Sequence, residues 1–531
     1  MPIGSRKLSI SSLFQYSRRQ KESNATVVSF PLLDLPQEIL ERVIVLARPL
    51  DIVSLSRTCR VLHALTTQRR LWLEVAEIVT ELNNMVIQRS LLDAMSLRDL
   101  IHFSASSTLF LRRLESLGQV KKPTRSAFRL RPRTQRALPV LFPPKRIEDD
   151  GIHATYLTLV SGGRFLLAQH TTPTGATARL LRLSDAGDGT LEVYEVAVKS
   201  FEGYCRIHNH WATSHRRTVL RFAVLEKFES SPSTLAIYDV DTATIQPEFT
   251  LVARSSDPLP ALHPRSLVSH CDERRVALCG ECAVAIWDFI HDRMVSFKCP
   301  RAEDPRYPYV RETLPPLAKL LMTERAEQHV KVVDNRVLYF QQSLILIYQL
   351  PEDADGHLCT LEPSFRLAVG DDGLTVNNVY FSRAPAIPNQ PFRFHVHSWS
   401  SDTLRTYELP PGSGVPFSHP LRAVHCPRIE ARDGCEAPRN PWAVQASASY
   451  TTCDGTCFIP RPSSGLRSTV LWFDLERENE SGEGSDDVRA GHAELVHRDD
   501  FSRAQGIAFD PATGRLCVAS ESGGLLVADY V

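Results

Sequence analysis

A two-strand unit recurs seven times between residues 164 and 531, and it limits the possible folds more than any other feature of the chain. Its second strand reads Ala178–Ser184, Thr234–Val240, Ala283–Phe289, Ser343–Gln349, Thr403–Leu409, Thr469–Leu475 and Leu525–Val531. A shorter strand, often with an arginine at its entry, precedes each copy: Arg164–Gln169, Thr218–Leu225, Arg275–Cys279, Arg336–Phe340, Phe392–His397, Thr456–Ile459 and Arg515–Ala519. The markers Arg182, Tyr238, Trp287, Tyr348, Tyr407, Phe473 and Asp529 lie 56, 49, 61, 59, 66 and 56 residues apart. Units of this length fit four-stranded blades with long loops, which predicts a seven-bladed β-propeller over residues 137–531. The last unit stops after its third strand, so a segment near Ala137–Phe142 is expected to supply the missing outer strand and remove a free edge.

The first third of the chain has a different period. Glycine is absent from Leu35 to Leu117, and apolar residues recur at helical spacing. Asp34 and Gln37 sit three apart as in a capping box, and Pro36 suits a first helical turn. Ile39, Leu40, Val43, Ile44 and Ala47 then lay an apolar stripe along a helix that ends before Pro49. Asp51 caps a short second helix, and Arg60–Thr67 forms a third with Val61, Leu62 and Leu65 inward. Further amphipathic stretches follow at Val75–Leu82, Met85–Leu92 and, capped by Ser96, Leu97–Leu117. A three-helix unit of roughly 40 residues cannot bury all its apolar surface alone, so the stripe needs a partner, in this chain or another.

The stretch from Leu33 to Val75 resembles an F-box. The residues that carry the likeness are Leu35-Pro36, Glu38-Ile39-Leu40, the apolar helix to Leu46, Asp51-Ile52, Leu55, Thr58-Cys59-Arg60 and the closing Leu71-Trp72. The family usually has Asp-Leu and Val-Cys where this chain has Asp51-Ile52 and Thr58-Cys59. The strand units resemble a diverged WD-type propeller of the kind attached to many fungal F-box proteins, with Trp287-Asp288 as the one Trp-Asp pair that closes a strand in that way.

The resemblance implies a multidomain α plus all-β chain: a tail over 1–30 expected to be disordered, an F-box over 31–76, a helical linker with a basic segment over 77–136, then the propeller. It further implies the substrate receptor of an SCF-type cullin-RING ubiquitin ligase. In such a receptor the head docks on a Skp-type adaptor and through it a cullin, and the propeller holds an unknown protein substrate. The docking surface implied comprises Leu35, Pro36, Ile39, Leu40, Val43, Ile44 and Leu46, with Leu55, Cys59, Leu62 and Trp72 in support. Some of these must instead hold the helices together.

Other motifs weigh less. Cys279-Gly-Glu-Cys282, with Cys271 upstream, has metal or redox spacing, but no second CxxC completes four ligands. Cys453 and Cys457 bracket a hairpin turn. His208/His210 and His395/His397 have the spacing that puts two imidazoles on one strand face, with polar packing the expected role. No nucleophile elbow, Walker loop, dinucleotide fingerprint or HExxH helix occurs in a suitable context, so neither catalysis nor a cofactor or metal is expected.

The 61 basic and 61 acidic residues balance, which excludes a globally basic nucleic-acid binder. Lys121, Lys122, Arg125, Arg129, Arg131, Arg133 and Arg136 nevertheless place seven basic residues within sixteen. They suit a solvated linker, or a scaffold or nucleic-acid-associated protein as the alternative function, and strong salt dependence of RNA binding would favour the latter. The acidic run 476–487 is expected to be a blade loop. No apolar run approaches the ~20 residues of a membrane helix, and the polar N-terminus is not a secretory signal. The expected setting is therefore cytoplasmic or nuclear, with its 12 cysteines reduced.

Overall fold

The computed structural model describes residues 32–83, 85–118, 129–138, 154–172, 175–185, 191–202, 204–212, 218–227, 234–256, 267–279, 283–298, 329–333, 335–341, 344–350, 358–359, 361, 363–368, 378–381, 392–398, 403–410, 422–425, 450–451, 456–462, 467–474, 490–496, 504–520 and 522–531. The expected tail over 1–30 lies outside them. After a 3-10 turn at Leu32–Asp34, six helices follow: α1 (Gln37–Val45), α2 (Pro49–Leu55), α3 (Arg60–Thr66), α4 (Arg69–Leu82), α5 (Arg89–Ala94) and α6 (Leu97–Gly118). None of these is long and apolar enough to cross a membrane.

Three local expectations change. The Asp34/Gln37 box does not form: Pro36 occupies the N-cap of α1 without a side-chain cap, and Gln37 Nε2 donates to Glu41 Oε1 at 2.8 Å instead. α1 does end before Pro49, but Asp51 does not cap α2: Pro49 opens that helix after Arg48 as N-cap, because the missing N–H of proline costs nothing in a first turn, and Asp51 lies inside it. Met85-Val86-Ile87 belongs to neither helix nor strand. All three side chains are buried, which a one-sided helical stripe cannot achieve but an irregular segment wedged between two bodies can. The Ser96 cap holds, with Ser96 Oγ donating to Asp99 Oδ2 at 2.6 Å and Asp99 N donating back to Ser96 Oγ at 3.2 Å.

Beyond the helices the described residues form seven small sheets, antiparallel in their main body. Two short strands come first, β1 (Arg129–Leu130) and β2 (Thr134–Leu138). The first sheet is β3 (Ala154–Leu159), β4 (Phe165–Thr172), β5 (Gly175–Asp185) and β6 (Leu191–Glu202). The second is β7 (Tyr204–Ala212), β8 (Val219–Lys227), β9 (Thr234–Asp241) and β10 (Thr250–Arg254). The third to seventh sheets follow within residues 267–298, 329–368, 378–425, 450–496 and 504–529. In every sheet the two strands read from the repeat form the hydrogen-bonded central pair. Neighbouring sheets share cores: first with second, second with third, third with fourth, fourth with fifth, sixth with seventh, and seventh with first. The arrangement is compatible with a β-propeller.

In the second and seventh sheets an arginine of one central strand and an aspartate of the other form a cross-strand ion pair. Arg221 binds Asp239 through two contacts at 2.7 and 2.8 Å, and Arg515 grips Asp529 the same way at 2.5 and 3.2 Å. Arg515 Nη1 also donates to Gly163 O of the first sheet at 2.9 Å, so one guanidinium ties the last sheet to the first. Replacing Arg515 with alanine strands a half-buried carboxylate and a carbonyl, and is expected to cost about 3–5 kcal/mol. Urea unfolding followed by circular dichroism checks this, and a loss below about 1 kcal/mol would refute the tie.

The missing outer strand of the seventh sheet does come from ahead of the first sheet, but earlier than expected. β2 pairs antiparallel with Leu525–Asp529, from Thr134 opposite Asp529 to Leu138 opposite Leu525, while residues 139–142 lie outside the description. β1 adds in parallel to the sixth sheet, Arg129 opposite Glu494 and Leu130 opposite Leu495. The basic segment therefore includes strands of two sheets as well as linker. A second short parallel addition, Leu358–Cys359, covers the outer strand of the third sheet.

Candidate partner-docking site

The core of the helical head is laid down around Trp72, which is buried and donates from Nε1 to Thr66 O at 2.7 Å, joining α4 to the end of α3. Arg42 on α1 pairs with Glu74 on α4. The Arg69 guanidinium donates to the carbonyls of Leu92 and Met95 at 3.2 and 3.0 Å, closing the C-terminal end of α5. α1 packs against this core through Leu40 and Ile44, and that rotation decides which of its apolar residues meet solvent.

The predicted docking residues divide into two sets. Leu40 (2% exposed) and Ile44 (1%) face inward, together with buried Leu55, Leu62 and Trp72. Ile39 (50%) and Leu46 (45%) face outward with exposed Pro36, and Val43 is half-buried between them. Along α1, positions 39, 43 and 46 form one stripe and 40, 44 and 47 another, about 100° round the helix. Leu35 and Cys59 are half-buried against the head core. Five of the eleven residues thus support the fold, and Pro36, Ile39, Val43 and Leu46 present it.

Two further apolar residues join the outward set. Leu33 (48%) sits in the turn before α1, and Val61 (53%) lies on α3. Val61 was expected inward, but the buried positions of α3 are Leu62, Leu65 and Thr66, one step round the helix. Burying a whole aliphatic side chain stabilises by about 1.5–3 kcal/mol, so each half-exposed residue leaves roughly 1 kcal/mol available to a partner.

The head is held against one end of the sheets. Ser161 Oγ donates to Asn83 O at 2.7 Å, Val86 N to Ser161 O at 3.4 Å and Gln88 Nε2 to Thr242 O at 3.0 Å. On α6, Ser106 Oγ donates to Ala512 O at 2.7 Å, Arg113 donates to Tyr530 O, and Phe110 packs on Phe509 and Tyr530 at ring distances of 5.5 and 6.5 Å. Ser161 and Ala512 lie where first strands turn into second ones, Thr242 where a third turns into a fourth, Phe509 at the end of a first strand and Tyr530 just after a third.

The remaining candidates resolve into packing where they are described. His395 is buried and shares a 2.9 Å hydrogen bond with Thr406 Oγ1. At His208 the β7–β8 register shifts, between Ile207 opposite Val224 and Asn209 opposite Ala223. Cys279 is buried at a strand end, and Cys271 and Cys457 lie in strands. Cys282, Cys453 and the run 476–487 lie outside the described residues. Burial pushes the Cys517 thiol up to about 12 and the Cys205 thiol well above its usual value. Among the described residues, no three or more potential ligands gather to hold a metal. Of the basic segment, Arg131 and Arg133 are exposed; burial and the neighbouring Arg133 lower the pKa of Arg113. Lys121, Lys122 and Arg125 are not described.

A family model described as F-box-like matches residues 32–77, the span from the first turn into the middle of α4. No curated protein matches the chain. Among solved structures, the chain is similar to one from "Crystal Structure of Mitotic Checkpoint Complex" at 10% identity and a TM-score of 0.37, covering 77% of this chain and 95% of that one.

Proposed function

We propose that this chain, carrying an F-box-like domain at residues 32–77 ahead of its sheets, is the substrate-recognition subunit of an SCF-type cullin-RING ubiquitin ligase. The observation that carries the reading is the division of α1: Leu40 and Ile44 hold the head together while Ile39, Val43 and Leu46 remain available within that domain. F-box domains bind Skp-type adaptors, and the outward stripe with Leu35 and Pro36 is the surface for that contact. A cullin would join through the adaptor, placing the ligase in the cytoplasm or nucleus.

The seven sheets form a closed, seven-bladed propeller of diverged WD type whose last blade β2 completes. The helices occupy the end of the sheets that carries residues 160–164, 242–249 and 511–514. Substrate then binds at the opposite end, on the turns between second and third strands and the connections between sheets. The subunit is non-catalytic. It raises the effective concentration of substrate beside a charged ubiquitin-conjugating enzyme, and hydrogen bonds at the seam between head and sheets hold that geometry.

Co-expression of the full chain with a Skp-type adaptor is expected to give a one-to-one complex by size exclusion with light scattering. Failure of the two to associate would remove the ligase assignment and favour the scaffold reading, in which the basic residues around β1 and β2 meet an anionic partner.

A further inference from the structure

A notch of about 430 Å³ lies between the first two sheets, at the end that carries the helices. Its floor is one cross-strand row, Phe165 on β4 opposite Arg182 on β5 opposite Tyr194 on β6. Its wall is the turn from Thr242 to Pro247. That turn is set by its own hydrogen bonds: Ala243 N donates to Asp241 Oδ1 at 3.0 Å, Thr244 Oγ1 to Asp241 O at 2.9 Å and Thr242 Oγ1 to Thr218 O at 2.8 Å. A turn held this way presents Ile245 wholly to solvent, while Tyr194 on the floor is half-exposed.

Two observations here have no explanation in the fold. Arg182 Nε is buried and makes no hydrogen bond among the described residues, which is costly for a charged group. Beside it, a tyrosine and a fully exposed isoleucine leave apolar surface unused on a preorganised frame. The carboxylates on β6 have other partners: Tyr194 donates its hydroxyl to Glu192, and Glu195, itself on the notch's lining, lies 3.6 Å from Arg179. A volume of this size with one cation, an apolar patch of Phe165, Tyr194, Ile245 and Pro247, and polar Thr242, Thr244 and Gln246 beside it describes a ligand pocket.

We propose that this notch binds a carboxylate attached to an apolar body, the carboxylate meeting the Arg182 guanidinium and the apolar part covering Tyr194, Ile245 and Pro247. A small organic acid and an acidic-aliphatic peptide segment both supply that chemistry. The site is separate from the outward stripe of α1, so it stands whether or not the adaptor binds.

Two matched probe pairs test it on the full chain by calorimetry: 4-phenylbutyrate with its amide, and acetyl-Leu-Glu-Leu-amide with its glutamine counterpart. In at least one pair the carboxylate is expected to bind at least about ten-fold more tightly than its neutral partner, as a charge-assisted hydrogen bond provides. The pair that binds more tightly identifies the source of the ligand. Arg182→Gln is expected to erase the preference, and Arg182→Lys to retain part of it. Ile245→Ser, on an exposed turn where folding is unaffected, is expected to weaken every probe that binds. The proposal is overturned if neither pair shows a preference, if the preference survives Arg182→Gln, or if Ile245→Ser binds like the wild type. Should Arg182→Gln fail to fold, the Ile245→Ser result decides.

Discussion

An Ile39→Asp chain is expected to fold normally and to lose the Skp-type adaptor. Ile39 already stands half in water on the outer stripe of α1, so the free protein barely registers the change, with stability altered by about 0.5 kcal/mol or less. In the complex the side chain is covered, and an unpaired carboxylate there costs several kcal/mol on top of roughly 1–2 kcal/mol of lost apolar contact. The sum corresponds to a loss of affinity on the order of 1,000-fold. Leu40→Ala makes the contrast: its neighbour on the inner stripe is 2% exposed, and truncation is expected to cost about 2–5 kcal/mol of stability. Titration of each variant with adaptor, alongside thermal melting, separates the two effects. Wild-type affinity in the Ile39→Asp chain would show that the outer stripe is not the docking surface.

Phe110→Ala is expected to be the most damaging single truncation at the seam between helices and sheets. The ring is wholly buried between Phe509 and Tyr530, and Gly514 passes so close that a Cβ there would stand 3.0 Å from Phe110 Cδ2. Gly514 has φ +64°, a conformation that favours glycine, and it carries no side chain that could fill the space left behind. A cost of about 3–5 kcal/mol follows from cavity formation with little relaxation. Hydrogen exchange is expected to show α6 and the seventh sheet losing protection together. If α6 alone loosens while residues 504–529 stay protected, the seam is not a shared core.

The sequence reveals the central strand pairs of the second, third, fourth and seventh sheets because those strands are buried on nearly all sides, so they read as near-continuous apolar runs. Outer strands such as β6 and β10 are harder to read: they are partly solvated and bulged, which breaks the alternation. β1 and Leu358–Cys359 are two residues long and exist only through pairing with distant partners, so no local signal marks them. For the head, periodicity shows that α1 carries apolar residues at 39, 40, 43 and 44 but not how the helix is rotated, since α4 and Trp72 set that. Val61 was misplaced for the same reason. The Arg182 notch was invisible because β4, β5, β6 and the turn after β9 meet only in the folded chain.

The borrowed strand also imposes an order of events during synthesis. Thr134 and Asp529, which face each other in the last sheet, are 395 residues apart in sequence. At 5–20 residues per second, β2 leaves the ribosome about 20–80 s before its partner exists. Through that interval β2 presents an open strand edge, and the α6 ring at Phe110 has nothing to cover it. The helical domain can form early and meet the first two sheets through Ser161 and Thr242, but the part of its seat that covers Phe110 waits for the last sheet. A contact that spans so much of the chain forms slowly, and until both partners of that pairing exist the edge of β2 stays open to other strands.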